Sequence, residues 1–144
     1  ALERGKGVFV LAATSNPEGA SVQRATLGDK TLAKSIWDSL SEINAVTAAG
    51  KAKLGSFGAV LGATLNLQTF GLGEVLDGQA LAATPILAPG FGAQGAELSA
   101  SKQLFGAAAA QVIHSVSRSV LQAGAAGLAK SIESAKAELA IGLG

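Results

Sequence analysis

The residues whose types and spacing could support chemistry lie in two short segments, residues 84–97 and 111–120. The first segment ends in a loop with three glycines and one amide side chain, namely Gly90, Gly92, Gly95 and Gln94. Glycine has no side chain, so the backbone of such a loop can approach a bound group closely. In the second segment Arg118 follows an apolar run, and a guanidinium group suits a bidentate grip on a phosphate. Together the two segments predict a binding site for a phosphate group.

Four apolar runs predict the strands that position these loops, over residues 7–13, 56–64, 84–89 and 111–116. The first run, GVFVLAA, is continuous, which is typical of a strand buried on both faces. Helical segments follow the runs: one after Asn16, a longer one over residues 32–47, and others over 65–76, 97–105 and 125–140. Asn16 suits a helix cap, and Pro17 suits the first helical position. This alternation predicts a parallel sheet or part of a barrel.

Two arrangements fit four consecutive strand–helix units. One is an open, doubly wound sheet, and the other is one half of an eight-unit (β/α)8 barrel. The phosphate signals favour the half-barrel, because the phosphate site of such barrels follows the seventh and eighth strands. We therefore predict an α/β fold in which residues 1–144 form strands 5–8, the C-terminal half of a single TIM-barrel domain. The N-terminal half would be absent from this chain, which would leave two strand edges unpaired.

Composition argues against several classes of function. The net charge is +1 and the basic residues are scattered, which disfavours nucleic acid or an anionic membrane as a partner. With no cysteine and one histidine, the sequence excludes disulfides, thiolate catalysis and histidine-rich metal clusters. No apolar run reaches the roughly 18 residues of a membrane span, and the first residues lack the apolar core of a signal peptide, so we expect a cytoplasmic protein. The chain begins with Ala1 and contains no methionine, which suggests a piece of a larger protein.

Three motifs, taken in order, resemble the C-terminal half of the orotidine 5′-phosphate decarboxylase family. They are SNPEG at residues 15–19, PGFGAQG at residues 89–95 and SRS at residues 117–119. Each motif alone is a weak signal, but the ordered set is fairly specific, and it is most similar to the bacterial branch of the family. The resemblance extends from Gly5 to about Ala125.

The resemblance implies a role for each matching residue. Ser15 would read the pyrimidine ring, Gln94 would bridge the substrate phosphate to that serine, and Arg118 would pair with the phosphate. Residues 90–95 would form the mobile loop that closes over the nucleotide. Many family members have glycine before the arginine, whereas this chain has Ser117, whose backbone amide can still bind phosphate.

The resemblance also implies the reaction, in which orotidine 5′-phosphate (OMP) loses CO2 to give UMP without a metal or organic cofactor. The family uses an Asp–Lys–Asp–Asp network, and its DxKxxD motif has no counterpart here. Asp29, Asp38 and Asp77 are the only aspartates, and none is expected to be catalytic. The implied partners are therefore the N-terminal half of the same barrel and, because the family usually forms dimers, a second copy. This chain alone should be inactive.

Less specific interpretations of the same residues stay open. Ser15 could belong to a helix-capping segment, Gln94 could be an ordinary loop residue, and Arg118 could be a surface charge. His114 lies within an apolar run and is expected to be a core residue, as is Trp37 on its helix. Another phosphate-binding barrel, such as a keto-sugar phosphate decarboxylase or a sugar-phosphate epimerase, would share the phosphate position. A third alternative is a non-catalytic half-barrel that self-associates through its open edges.

Overall fold

The computed structural model describes residues 2–47, 54–77 and 84–144. Its strands are β1 (Val8–Ala13), β2 (Thr26–Leu27), β3 (Lys30–Thr31), β4 (Phe57–Leu61), β5 (Ile86–Pro89) and β6 (Val112–Ser115). Its α-helices are α1 (Pro17–Gln23), α2 (Leu32–Thr47), α3 (Gly73–Leu76), α4 (Ser101–Phe105), α5 (Arg118–Leu121) and α6 (Gly124–Leu143). Short 3-10 helices cover Leu2–Arg4, Leu67–Phe70, Leu98–Ala100 and Gly106–Gln111.

The four longer strands form one parallel sheet in the order β1–β4–β5–β6, while β2 and β3 form a separate antiparallel hairpin. Val8 pairs with Phe57, Ala59 with Ile86, and Ile86 with Val112. Each strand of the sheet lies beside the next one along the chain, as in consecutive units of a (β/α)8 barrel. The topology confirms the predicted α/β fold of four βα units. The assignment of residues 1–144 to one barrel domain stays a prediction.

The core lies between the sheet and the helices on its outer face. Trp37 and Leu40 of α2, Phe105 of α4, and the strand residues Leu61 and Ile86 belong to one buried cluster. Burying a large apolar side chain contributes about 1.5–3 kcal/mol, so this layer supplies the main stabilisation. Trp37 is 1% exposed, which confirms the prediction that it is a packing residue.

A buried asparagine ties α2 to the start of β4. Asn44 Nδ2 donates to the Phe57 carbonyl at 2.6 Å and to Thr84 Oγ1 at 3.0 Å. Its Oδ1 accepts a hydrogen bond from the Phe57 N–H at 3.1 Å. One side chain therefore binds both backbone groups of Phe57, which fixes the helix relative to the strand.

The inner face of the sheet is open, so the prediction that residues 7–13 form a strand buried on both faces is wrong. Phe9 and Leu11 of β1 are 40% and 63% exposed, and Ile113 of β6 is 46% exposed. These side chains alternate along their strands with residues that pack on the core, so they lie on the face opposite the helices. β1 and β6 are the edge strands, and among the described residues no element covers this face. An apolar run shows that a strand favours burial but does not show what buries it.

Two helical segments differ from the sequence prediction. Residues 65–76 form the 3-10 helix Leu67–Phe70 followed by α3, because Gly71 lies between them in a left-handed conformation with φ of 72°. Residues 97–105 form the 3-10 helix Leu98–Ala100, which runs directly into α4. By contrast, α2 has the predicted bounds, and α6 extends the predicted final helix by a few residues.

Candidate functional site

The glycine loop, residues 90–95, follows β5 and has a conformation that only glycine adopts easily. Gly90, Gly92 and Gly95 have φ values of 119°, 69° and 108°. Backbone hydrogen bonds hold the loop: Gly92 N–H donates to the Ala96 carbonyl at 2.8 Å, and Ala96 N–H donates to the Gly90 carbonyl at 3.1 Å. A Cβ at Gly92 would lie 2.3 Å from Ser119 Oγ, so the loop also packs closely against α5. These contacts hold the loop in this conformation.

A small pocket brings together most of the residues predicted to bind phosphate. Its volume is about 60 Å³, and its lining includes Gly90, Gln94, Ser115, Ser117 and Arg118. This is roughly the volume that two water molecules occupy in the liquid, which suits a small anionic group. Gln94 and Arg118 are exposed, and within the described part of the chain neither side chain makes a hydrogen bond or an ion pair. Both side chains can therefore turn toward a ligand. Gly92 and Gly95 shape the loop but do not line this pocket.

Gln94 also lines a larger cleft on the other side of the loop. That cleft has a volume of about 610 Å³ and extends from Thr64 and Asn66 after β4 to Glu97 and Leu104. Its described lining carries one acidic side chain and no basic one, so an anion would be repelled there. The smaller pocket is the better candidate for the predicted phosphate site despite its size, because Arg118 lines it. No motif or spacing pointed to Thr64, which follows β4 at the same end of the sheet.

Ser15 lies elsewhere on the carboxyl end of the sheet. It follows β1, and two strands separate β1 from β6, so the described residues show no contact between Ser15 and Gln94 or Arg118. The bridge from Gln94 to Ser15 and the role of Ser15 toward the pyrimidine therefore stay predictions.

The turn that carries Ser15 is held by side chains on either side of it. Thr14 N–H donates to Gln23 Oε1 at 2.9 Å, and Gln23 Nε2 donates to Thr14 Oγ1 at 2.8 Å. The Thr14 hydroxyl in turn binds Asn16 Oδ1. The prediction that Asn16 caps α1 is right about its position but wrong about its side chain, which makes no hydrogen bond to the helix. Pro17 at the helix start removes one N–H that would need such a cap.

The aspartates lie in surroundings that fit structural roles. Asp38 on α2 accepts hydrogen bonds from Lys30 Nζ at 2.7 Å and Lys34 Nζ at 2.6 Å. Partial burial acts to raise the pKa of Asp38, but the bonds from Lys30 and Lys34 outweigh it and hold that pKa below its usual range. Asp29 lies at the turn between β2 and β3, and Asp77 follows α3. That the catalytic groups lie outside this chain stays a prediction.

His114 is half-buried and lies outside the buried core cluster, so the prediction of a core residue is only partly right, although its ring does have a defined partner. Its Nε2 lies 2.6 Å from the Oγ of Ser101, a fully buried residue at the start of α4. Its ring packs against Phe91 of the glycine loop, with centroids 5.1 Å apart. Burial lowers the pKa of His114, although a hydrogen bond to the Val112 backbone opposes the shift. Partial burial therefore favours the neutral form of the ring.

Within the described ranges, no helix combines the length and the hydropathy that a membrane span needs. The same ranges also contain no group of three or more histidine, aspartate or glutamate side chains placed to hold a metal ion.

The chain is similar to curated proteins named orotidine 5′-phosphate decarboxylase. It is 47% identical over 125 residues to the one from Salinispora arenicola, a match that covers 86% of this chain and 41% of that protein. The one from Streptomyces coelicolor gives the same identity and coverage. The chain therefore spans about two fifths of the length of these relatives, at their C-terminal end. No family model matches the chain.

Solved structures agree in fold. A crystal structure from Streptomyces avermitilis, described as an orotidine 5′-phosphate decarboxylase, superposes with a TM-score of 0.79 at 39% identity. That match covers 96% of this chain and 46% of the other. Leishmania donovani UMP synthase gives a TM-score of 0.67 at 27% identity, over 94% of this chain and 28% of the other. These comparisons confirm the resemblance that the three motifs indicate and the half-barrel fold.

Proposed function

We propose that this chain, a homologue of the C-terminal half of the orotidine 5′-phosphate decarboxylase family, supplies the phosphate- and pyrimidine-binding loops of that enzyme. The complete enzyme would convert OMP to UMP and CO2. The observation that carries the proposal is the pocket in which Gln94, Ser117 and Arg118 meet the glycine loop. Its chemistry suits a phosphate, and the named relatives favour OMP over the sugar phosphates considered above.

Two kinds of group would bind the phosphate. The Arg118 guanidinium can form two parallel charge-assisted hydrogen bonds with phosphate oxygens. The backbone N–H groups of Ala93 and Gln94 make no backbone hydrogen bond within the described part of the chain, so they are free to donate to the same anion. The Gln94 amide completes the site, and we assign it the further contact toward Ser15 that the resemblance implies.

The proposed chemistry places charge at C6 of the pyrimidine, where loss of CO2 leaves a carbanion. Such a charge must be stabilised by fixed charges that are already in position. We assign these to the Asp–Lys network of the N-terminal half. The phosphate is remote from C6, so its binding energy can drive closure of the glycine loop and exclude water, which raises the rate as well as the affinity.

We further propose that the complete enzyme is a cytoplasmic homodimer. The N-terminal half of the barrel would extend the sheet from the open edges of β1 and β6 and cover Leu11 and Ile113. Light scattering of this chain, alone and with that half, tests the arrangement. A stable dimer of the chain that does not take up the N-terminal half would instead support the self-associating half-barrel.

The decisive experiment follows the loss of OMP absorbance with this chain alone and with the N-terminal half of the Salinispora arenicola relative. We call the mixture the assembled barrel. We expect activity only in the assembled barrel, and Arg118→Ala should remove most of it while Arg118→Lys keeps part. Activity from the chain alone would contradict the placement of the catalytic groups. A folded but inactive mixture that binds neither OMP nor UMP would overturn the proposed function.

A further inference from the structure

One large side chain anchors the glycine loop from below. Phe91 lies between Gly90 and Gly92 and is 3% exposed, whereas the residues that follow it in the loop are exposed. Its ring packs against Phe105 of α4, with centroids 6.4 Å apart, and against His114 of β6 at 5.1 Å. The position of the loop backbone therefore depends on where this ring is held.

The His114 ring is in turn restrained by a partly buried hydrogen bond. Ser101, the residue that binds Nε2, has no exposed surface and begins α4. A buried hydroxyl that loses its partner is destabilising, so the serine restrains the ring. His114 thus connects α4, β6 and the glycine loop.

The same strand leads directly to the other half of the phosphate pocket. β6 ends at Ser115, and Ser117 and Arg118 follow within three residues. The two halves of the pocket therefore come from different strands, the glycine loop from β5 and the arginine from β6. A displacement of about 1 Å between groups that grip one ligand can lower activity by about 100-fold.

We propose that His114 is a positioning residue, which sets the glycine loop relative to Arg118 through its contact with Phe91 and its bond to Ser101. The inference rests on the proposed function only for the identity of the ligand. Ordinary core packing would make His114 matter for global stability alone. A positioning role makes it matter for the loop and for phosphate binding even when the fold is intact.

Three variants separate these roles. His114→Gln keeps a hydrogen-bonding group for Ser101 but removes the ring, and His114→Phe keeps the ring but removes the bond. Leu40→Ala is the matched control, because it removes packing from α2 without touching the loop. Amide hydrogen exchange is measured at Gly92 and Ala96, whose N–H groups hold the loop, and along α2. We expect His114→Gln to speed exchange in the loop about tenfold, the equivalent of one lost aromatic contact with Phe91, and to leave α2 unchanged. His114→Phe should retain most of the protection.

Calorimetry with UMP and with uridine adds a functional readout in the assembled barrel. His114→Gln should weaken UMP binding about tenfold, while the weaker binding of uridine, which lacks the phosphate, should not change. Leu40→Ala should change neither affinity. Equal acceleration of exchange in the loop and α2, or an unchanged UMP affinity in His114→Gln, would overturn the proposal. If the unsubstituted assembly binds no UMP, the proposed function fails, and the exchange comparison still decides the role of His114.

Discussion

Alanine at Gly92 should damage the protein more than alanine at Gly28, although both glycines have the same backbone conformation. Their φ values are 69° and 68°. An L-residue in this left-handed region is destabilised by about 1–2 kcal/mol, and the stiffer unfolded chain offsets about 0.4–1 kcal/mol of that loss. A Cβ at Gly28 meets nothing within 4 Å, so Gly28→Ala should lower the free energy of unfolding by only about 1 kcal/mol.

Steric overlap adds a second loss at Gly92. A Cβ there would lie 2.3 Å from Ser119 Oγ and 2.9 Å from Ser119 Cβ, so either the loop or α5 must move. Overpacking of this kind costs about 1–3 kcal/mol, which brings the expected loss for Gly92→Ala to roughly 2–4 kcal/mol. If the loop moves by about 1 Å, kcat/KM of the assembled barrel for OMP should fall about 100-fold.

Urea unfolding of both variants measures the difference, and the OMP assay measures the functional loss. The double variant Gly92→Ala/Ser119→Gly removes the two atoms that would lie within 3 Å of the new methyl group, so it should recover part of the activity. Equal losses of stability at Gly92 and Gly28, or full activity in Gly92→Ala, would refute the steric argument.

Three further predictions follow from other contacts. Arg118→Ala removes hydrogen bonds to a charged partner that are worth about 1.5–3 kcal/mol each. The affinity of the assembled barrel for UMP, measured by calorimetry, should therefore fall by roughly 100-fold, and a loss under threefold would contradict the proposed role of Arg118 in phosphate binding. The folded-state pKa of Asp38 is below its ordinary value of 3.8, so its ion pairs stabilise the protein above that pH. Asp38→Asn should therefore destabilise at pH 7, and the difference in urea midpoint should shrink as the pH falls below 3.8; a constant difference would contradict this. Asn44→Ala leaves both backbone groups of Phe57 without their side-chain partner, so it should lower the free energy of unfolding by about 2–4 kcal/mol. The control Ser39→Ala, on the exposed side of α2, should change that free energy by less than about 0.5 kcal/mol.

The sequence was sufficient for the parts of the fold that depend on regular spacing. The four sheet strands are apolar runs, and α2 has apolar residues at helical spacing, so both can be predicted from the local sequence alone. That Gln94 and Arg118 lie close together could also be predicted, because parallel strands place their carboxyl ends on one edge of the sheet. In each case a local pattern and a general topological rule were enough.

The remainder depends on contacts between distant residues. Gln23 makes the side-chain hydrogen bonds that hold the turn after β1, whereas Asn16 was expected to cap α1 with its side chain. No rule of sequence spacing predicts the contact between Gln23 and that turn. The strands of the β2–β3 hairpin are too short to show an alternation of apolar and polar residues in the sequence. The contact of His114 with Phe91 requires the sheet to be assembled first, since it joins β6 to the loop that follows β5. Whether Phe9 is covered depends on elements that the strand's own sequence does not specify.

The register of the sheet has a consequence for the order in which it assembles. The pairing of Val8 with Phe57 spans nearly twice the sequence separation of the pairings on β5, so closing that segment costs about 0.6 kcal/mol more in chain entropy. β4, β5 and β6 should therefore form a folding nucleus, and β1 should join it later. Pulse-labelled exchange would show this as protection of β5 before β1, and simultaneous protection would contradict it. The two strands that carry the proposed phosphate pocket would then be in register before the strand that leads to Ser15 has docked, so that pocket would form early in folding.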